Sequence, residues 1–210
     1  MCSIDFMTPF YEEDKELKVT KHRLTHWDQG AKYYFITWRM ADSLPRKFYA
    51  RWEATRKEWL QRHSGELSNA EKLEYKYLFA NLANPELDKG GGSCALARRQ
   101  IRCLVTECLF GLNGGEYDLS SFVVMPNHVH VLFQLNEEAV LSKVMQKIKG
   151  GSAYEINKAL GKKGKFWQTE YFDVIIRSPK QLWYVKDYIR RNPKELTAGT
   201  YTLWEKEGGV

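Results

Sequence analysis

The stretch Leu119-Ser120-Ser121-Phe122-Val123-Val124-Met125-Pro126-Asn127-His128-Val129-His130-Val131-Leu132-Phe133-Gln134-Leu135 decides the fold. Leu119 to Met125 is a dense apolar run with the β-branched and aromatic content of a strand. Pro126-Asn127 supplies a turn, and His128 to Leu135 reads as the returning strand. Strand side chains alternate between faces, so His128 and His130 project together while Val129, Val131, Phe133 and Leu135 point the other way. A hairpin with one apolar face needs helices to cover it, and the flanking sequence supplies them.

Upstream, Tyr33 to Met40 is aromatic and β-branched, hence a further strand, and Pro45 opens a helix carrying Phe48, Trp52, Trp59 and Leu60 on one side. Ser68 and Glu71 form the capping box of a second helix. Gly90-Gly91-Gly92 breaks the chain, after which Ser93 can cap a helix with the apolar stripe Ala97, Ile101, Leu104, Val105, Cys108 and Leu112. Downstream, a basic helix runs from about 139 to 160, with Leu141, Val144, Met145, Ile148 and Ile156 as its buried side. Gly150-Gly151 inside it implies a kink or a close approach. Tyr171 to Ile176 is another strand, and Ser178, Pro179 and Gln181 open a last helix that Pro193 ends. Strands separated by helices, with one tight hairpin, give an α+β layer with a mainly antiparallel sheet.

With 210 residues, one domain is the natural reading, and no metal or disulfide staple is needed to fold it. The expected layout is an N-terminal extension over 1–30, a single domain over 31–200 with a helical insertion near 61–92, and a tail over 201–210. No apolar run approaches a membrane span and the first thirty residues are charged throughout, so a cytoplasmic location is expected. The four cysteines (Cys2, Cys94, Cys103, Cys108) form no C-x-x-C pair and read as reduced thiols. Lys and Arg number 32 against 26 Asp and Glu, but residues 139–200 hold 13 basic and 5 acidic residues. That asymmetry points to an anionic partner, and the aromatic content suits unpaired nucleic-acid bases. A solvated basic face over an aromatic core explains the same numbers.

Two imidazoles side by side on a strand make two arms of a divalent-metal site, or a pair of satisfied core histidines. No histidine follows His130, so a carboxylate or amide must complete such a site. Tyr188 and Asn192 lie four apart, one turn along the same helix face, beside Arg190 and Arg191. A phenol near a metal and basic groups can attack a phosphodiester. It can equally be a half-buried packing residue.

Val124-Met125-Pro126-Asn127-His128-Val129-His130 resembles the HUH motif of single-tyrosine transposases, and Tyr188-Ile189-Arg190-Arg191-Asn192-Pro193 resembles their tyrosine helix. Lys149-Gly150, Asn157 and Phe166-Trp167-Gln168-Thr169-Glu170-Tyr171-Phe172-Asp173 are similar to the family's intervening stretch. Arg23-Leu24-Thr25-His26-Trp27, Phe35-Ile36-Thr37-Trp38-Arg39 and Ser43-Leu44-Pro45 look like its REP-associated branch. The resemblance runs in one order from about residue 20 to 200. It implies a ferredoxin-like fold and Mg²⁺ or Mn²⁺ held by His128, His130 and Asn192. It implies single-stranded DNA as substrate, a short REP-type hairpin with flanking guide bases, cleaved and rejoined through a 5′-phosphotyrosine at Tyr188. Phosphate contacts are expected from Lys149, Lys162, Lys163, Lys165, Arg190 and Arg191, with Trp167 as a stacking ring or a core packing residue. Arg23, His26 and Trp27 are expected to read the guide or to form a strap that covers the first strand with Trp27 beneath it. After Pro193 the family commonly continues Val-Lys-Ala-Gly-Leu, whereas Lys194-Glu195-Leu196-Thr197-Ala198-Gly199 stands here. The rival readings are a non-catalytic hairpin binder of the same fold and a metal-dependent phosphodiesterase that uses water. Monomer and tyrosine-exchanging dimer are both compatible with the sequence.

Overall fold

Two periodicities organise the chain: residues that alternate extend into strands, and those that repeat every three or four coil into helices. The computed structural model describes residues 8–21, 25–63, 68, 71 and 91–207. In chain order the elements are β1 (Lys18–Lys21), β2 (Thr25–Asp28), β3 (Tyr33–Arg39), α1 (Arg46–Arg62), α2 (Arg99–Leu112), β4 (Tyr117–Val124), β5 (His128–Leu135), α3 (Leu141–Leu160), β6 (Phe172–Ile175), α4 (Pro179–Arg191) and β7 (Thr202–Glu205). Short 3₁₀ turns at Ala95–Ala97 and Asn192–Glu195 precede α2 and follow α4.

The main sheet has the order β6-β3-β5-β4-β7, and every neighbouring pair is antiparallel. From β3 to β6 this is a βαββαβ unit with its two helical crossovers, the ferredoxin-like arrangement of an α+β fold. Register sets the site: Thr37 lies opposite His130, and Arg39 opposite His128. The β4–β5 register slips at Ser120, where β4 carries one extra residue, a bulge that adds local twist.

The alternation read from β5 is realised. Val129, Val131, Phe133 and Leu135 enter the large core with Ile36 and Trp38, under Ile101, Val105 and Leu109 of α2 and Leu141, Val144, Met145, Ile148 and Ile156 of α3. On the other face Val123, Met125 and Leu132 meet Ile176 and the α4 residues Leu182 and Ile189, a much smaller cluster. Gly151 explains part of the glycine pair in α3: a Cβ there would stand 3.1 Å from Cys108 Sγ, so the missing side chain lets α2 and α3 approach. The helix runs unbroken through both glycines, so no kink forms; close approach is what Gly151 serves, while a Cβ on Gly150 would meet nothing.

Several expectations are revised. Within the tail expected over 201–210, Thr202–Glu205 pairs with β4 as the fifth strand. Among the described residues of the N-terminal extension, β1 and β2 pair antiparallel, and Trp27 is buried in the main core. Ser93 does not cap α2; its backbone N–H bonds Asp42 Oδ2 at 3.0 Å, and α2 starts only after the 3₁₀ turn. The Ser68–Glu71 capping box forms with its reciprocal bonds of 2.8 and 3.3 Å, while most of the 61–92 insertion lies outside the described residues. Among the described residues no helix is long and apolar enough to cross a membrane.

Candidate active site

His128 and His130 are each 1% exposed, and both ring edges are engaged. His128 Nδ1 lies 2.7 Å from Asn127 Oδ1, and His130 Nδ1 lies 2.7 Å from Thr37 Oγ1 across the β3–β5 ladder. The opposite nitrogens face each other, with His128 Nε2 and His130 Nε2 3.1 Å apart. Burial, with a smaller push from Arg39, lowers the His128 imidazole to about 3. Burial and then the neighbouring His128 hold His130 well below the usual range. Both rings are therefore neutral at physiological pH, the form that ligates metals.

α4 reaches over this pair. Ser178 caps it, its hydroxyl accepting from Gln181 N at 3.2 Å, while the Gln181 side chain accepts from Arg177 N at 2.7 Å. Leu182 and Ile189 anchor its inner face. Tyr188, 36% exposed, sets its ring edge-on to His130 at 5.3 Å and to Phe35 at 5.9 Å, so the phenol sits beside the histidines and still meets solvent. Tyr184, one turn earlier, is 54% exposed and contacts Trp183 at 5.2 Å and the Lys180 ammonium at 6.0 Å.

The donor set suits a hard-to-borderline divalent ion. Two neutral imidazole nitrogens stand at a spacing of the order expected for ligands of one cation, roughly 3 Å. At the C-cap of α4, the Asn192 Oδ1 atom is buried with no hydrogen-bond partner, an unsatisfied acceptor of the kind that calls for an explanation. No group of three His, Cys, Asp or Glu side chains among the described residues could hold an ion. Among the described residues no carboxylate completes the histidine pair, which leaves the amide of the two completions open to the sequence.

The residues expected to grip DNA divide. His26, Lys149, Lys165 and Trp167 line one cavity of about 610 Å³ between α3, the β1–β2 hairpin and the loop before β6. That places them at the α3 side of the sheet, away from the histidines. Within it, Trp167 is core rather than an open stacking ring: it is 3% exposed, donates from Nε1 to Ser152 Oγ at 3.0 Å and meets Trp38 edge-on at 6.0 Å. Trp27, 3% exposed and stacked on Tyr11 at 6.3 Å, is likewise turned inward. His26 is buried between Asp173 Oδ1 at 2.5 Å and Glu170 at 3.5 Å, stacked on Tyr171 at 4.1 Å. Lys149 donates to the carbonyls of Thr169 at 2.7 Å and Glu170 at 3.2 Å, and burial lowers it to about 8. Arg190 forks onto Glu205 at 2.9 and 3.0 Å, tying α4 to β7, and Arg191 pairs with Asp187 at 3.0 Å. Lys162, Lys163 and Lys165 are exposed, with Lys165 also donating to Thr169 Oγ1. Arg23 lies outside the described residues.

Sequence reasoning missed Asn127 and Thr37 as partners of the histidines. Asn127 stands directly before His128, but Thr37 is brought to His130 only by the strand register.

Residues 111–192 match the family model described as Transposase IS200 like. No curated protein matches the chain in a sequence search. Among solved structures, the chain is similar to a REP-associated tyrosine transposase bound to a REP hairpin, with 16% identity, a TM-score of 0.44, and coverage of 84% of this chain and 73% of that one. It is also similar to a presumed transposase from Deinococcus radiodurans R1, with 16% identity, a TM-score of 0.35, and coverage of 76% and 89%. Superpositions at these scores carry no residue-by-residue correspondence. The matched segment runs from the end of α2 to the C-cap of α4 and contains both histidines, the tyrosine and the asparagine. Over residues 111–192 the chain is thus similar to the IS200-like transposases.

Proposed function

We propose that the protein is a metal-dependent single-strand DNA nuclease and strand transferase that works beside short hairpins, with Tyr188 as nucleophile. The observation that carries this reading is the solvent-reaching Tyr188 ring set 5.3 Å from His130, whose Nε2 faces that of His128 at 3.1 Å. Tyr188 Oη attacks the phosphorus of a phosphodiester, the bond to the 3′-oxygen breaks, and that oxygen leaves as a 3′-hydroxyl. The 5′-phosphate remains on the tyrosine, and attack by a 3′-hydroxyl reverses the step. His128, His130 and Asn192 would hold Mg²⁺ or Mn²⁺, which supplies charge stabilisation at the phosphoryl oxygens. Phe35 and His130 fix the plane of the Tyr188 ring, and Ile189 and Leu182 fix the helix that carries it.

Substrate grip falls to the exposed Lys162, Lys163, Lys165 and Arg191 as phosphate contacts. The cavity lined by His26 and Lys149 is the place for an unpaired flanking base. One gel separates the readings. A single-stranded hairpin incubated with protein and Mn²⁺ should give a denaturant-resistant adduct that EDTA and His130→Ala both abolish. Cleavage without adduct would indicate water as nucleophile. Binding with no metal-dependent product would indicate a hairpin-binding module.

A further inference from the structure

The two histidines have different kinds of partner on their Nδ1 edges. Asn127, 1% exposed, cannot turn its amide around: Nδ2 donates to the Gly91 carbonyl at 3.2 Å, and a carbonyl only accepts. Its Oδ1 must therefore face His128 Nδ1 at 2.7 Å, and as an acceptor it requires a proton there. His128 Nε2 is left with its lone pair aimed at His130 Nε2, 3.1 Å away. In the cation-free protein His130 answers by donating from Nε2, and its Nδ1 then accepts from the Thr37 hydroxyl at 2.7 Å. A hydroxyl can also accept, so Thr37 suits either tautomer of His130, whereas Asn127 suits only one tautomer of His128.

Gly91 is built into this arrangement. A Cβ on Gly91 would stand 2.7 Å from the Ser43 carbonyl oxygen, and one on Gly92, at φ +86°, would stand 2.5 Å from that of Asp42. Two residues without side chains thus let the chain press against Asp42 and Ser43 and bring the Gly91 carbonyl to Asn127.

We propose that Asn127, anchored through the Gly91 carbonyl, is the positioning residue that holds His128 as its Nδ1–H tautomer and keeps the Nε2 lone pair on the shared site. The proposal rests on the metal reading above but is tested without it. Long-range ¹H–¹⁵N correlation on the metal-free protein at pH 7.5 should show His128 protonated on Nδ1 and His130 on Nε2, opposite tautomers two residues apart. Asn127→Ala should turn His128 into a tautomer mixture and lower Mn²⁺ affinity by about tenfold or more, read by calorimetry. Asn127→Asp, which keeps the acceptor, should restore the Nδ1–H tautomer. Gly91→Ala should weaken Mn²⁺ binding in the same direction as Asn127→Ala. His128 protonated on Nε2 in the wild type, or an unchanged tautomer and affinity in Asn127→Ala, overturns the proposal. A wild type with the expected tautomers that binds no Mn²⁺ supports the positioning role and sinks the metal reading instead.

Discussion

On one face of the sheet, α2 and α3 cover Ile36, Trp38, Val129, Val131 and Phe133 with a core that also takes in Trp27 and Trp167. On the other face, α4 covers a handful of side chains through Leu182 and Ile189, and it leaves Trp183, Tyr184 and Tyr188 exposed. The thick face converts aromatic rings into packing. The thin face keeps polar atoms reachable beside two buried imidazoles. An aromatic residue therefore means different things on the two sides, and the difference can be measured.

The largest expected effect is on the thick side. Trp167→Ala removes a buried ring and its hydrogen bond to Ser152, and should cost about 3–5 kcal/mol of unfolding free energy in a urea titration. Trp183→Ala on α4 should change the same quantity by no more than about 0.5 kcal/mol. Equal effects would break the contrast between the faces.

A smaller effect follows from Lys149, which burial lowers to about 8. The unfolded chain holds this proton up to its ordinary value near 10.4, so between pH 8 and that value the unfolded state binds more protons, and stability rises with pH. Below pH 8 both states are protonated and the contribution is flat. Lys149 should add stability from pH 8 to about pH 10, read as the difference between the wild type and Lys149→Met. The Cys94 and Cys108 thiols, pushed up by burial, work in the opposite sense above their ordinary range in both proteins. Above about pH 10 the buried phenols of Tyr34, Tyr117 and Tyr171, all pushed up by burial, work in the opposite sense.

The smallest effect concerns the exposed ion pair between Arg190 and Glu205. Surface pairs contribute little, so Arg190→Ala should lower stability by at most about 1 kcal/mol in the same titration. A larger loss would mean that the β7 tie holds α4 in place far more strongly than a solvent-facing bridge can.

The same contrast explains what was legible in the sequence. The hairpin around Pro126-Asn127, the common face of His128 and His130, and the one-turn spacing of Tyr188 and Asn192 are all local, so alternation and helical pitch reveal them. What failed was tertiary. Trp27 and His26 belong to a short polar strand whose burial depends on β6 and the core behind it, and nothing in Lys18–Asp28 announces that cover. Trp167 lies in a loop, where indole exposure cannot be read from period. Thr202–Glu205 is too short to announce a strand without β4 beside it. Thr37 meets His130 only through register.

The central claim is that the exposed phenol beside the histidines, and not its neighbour one turn earlier, does the chemistry. The direct measurement is covalent capture of a single-stranded hairpin with Mn²⁺ by the wild type, Tyr188→Phe and Tyr184→Phe, followed by denaturing electrophoresis and binding assays on each. The account predicts an adduct with the wild type and Tyr184→Phe, none with Tyr188→Phe, and hairpin affinity within a few fold for all three. An adduct that persists in Tyr188→Phe, or disappears equally in Tyr184→Phe, contradicts it.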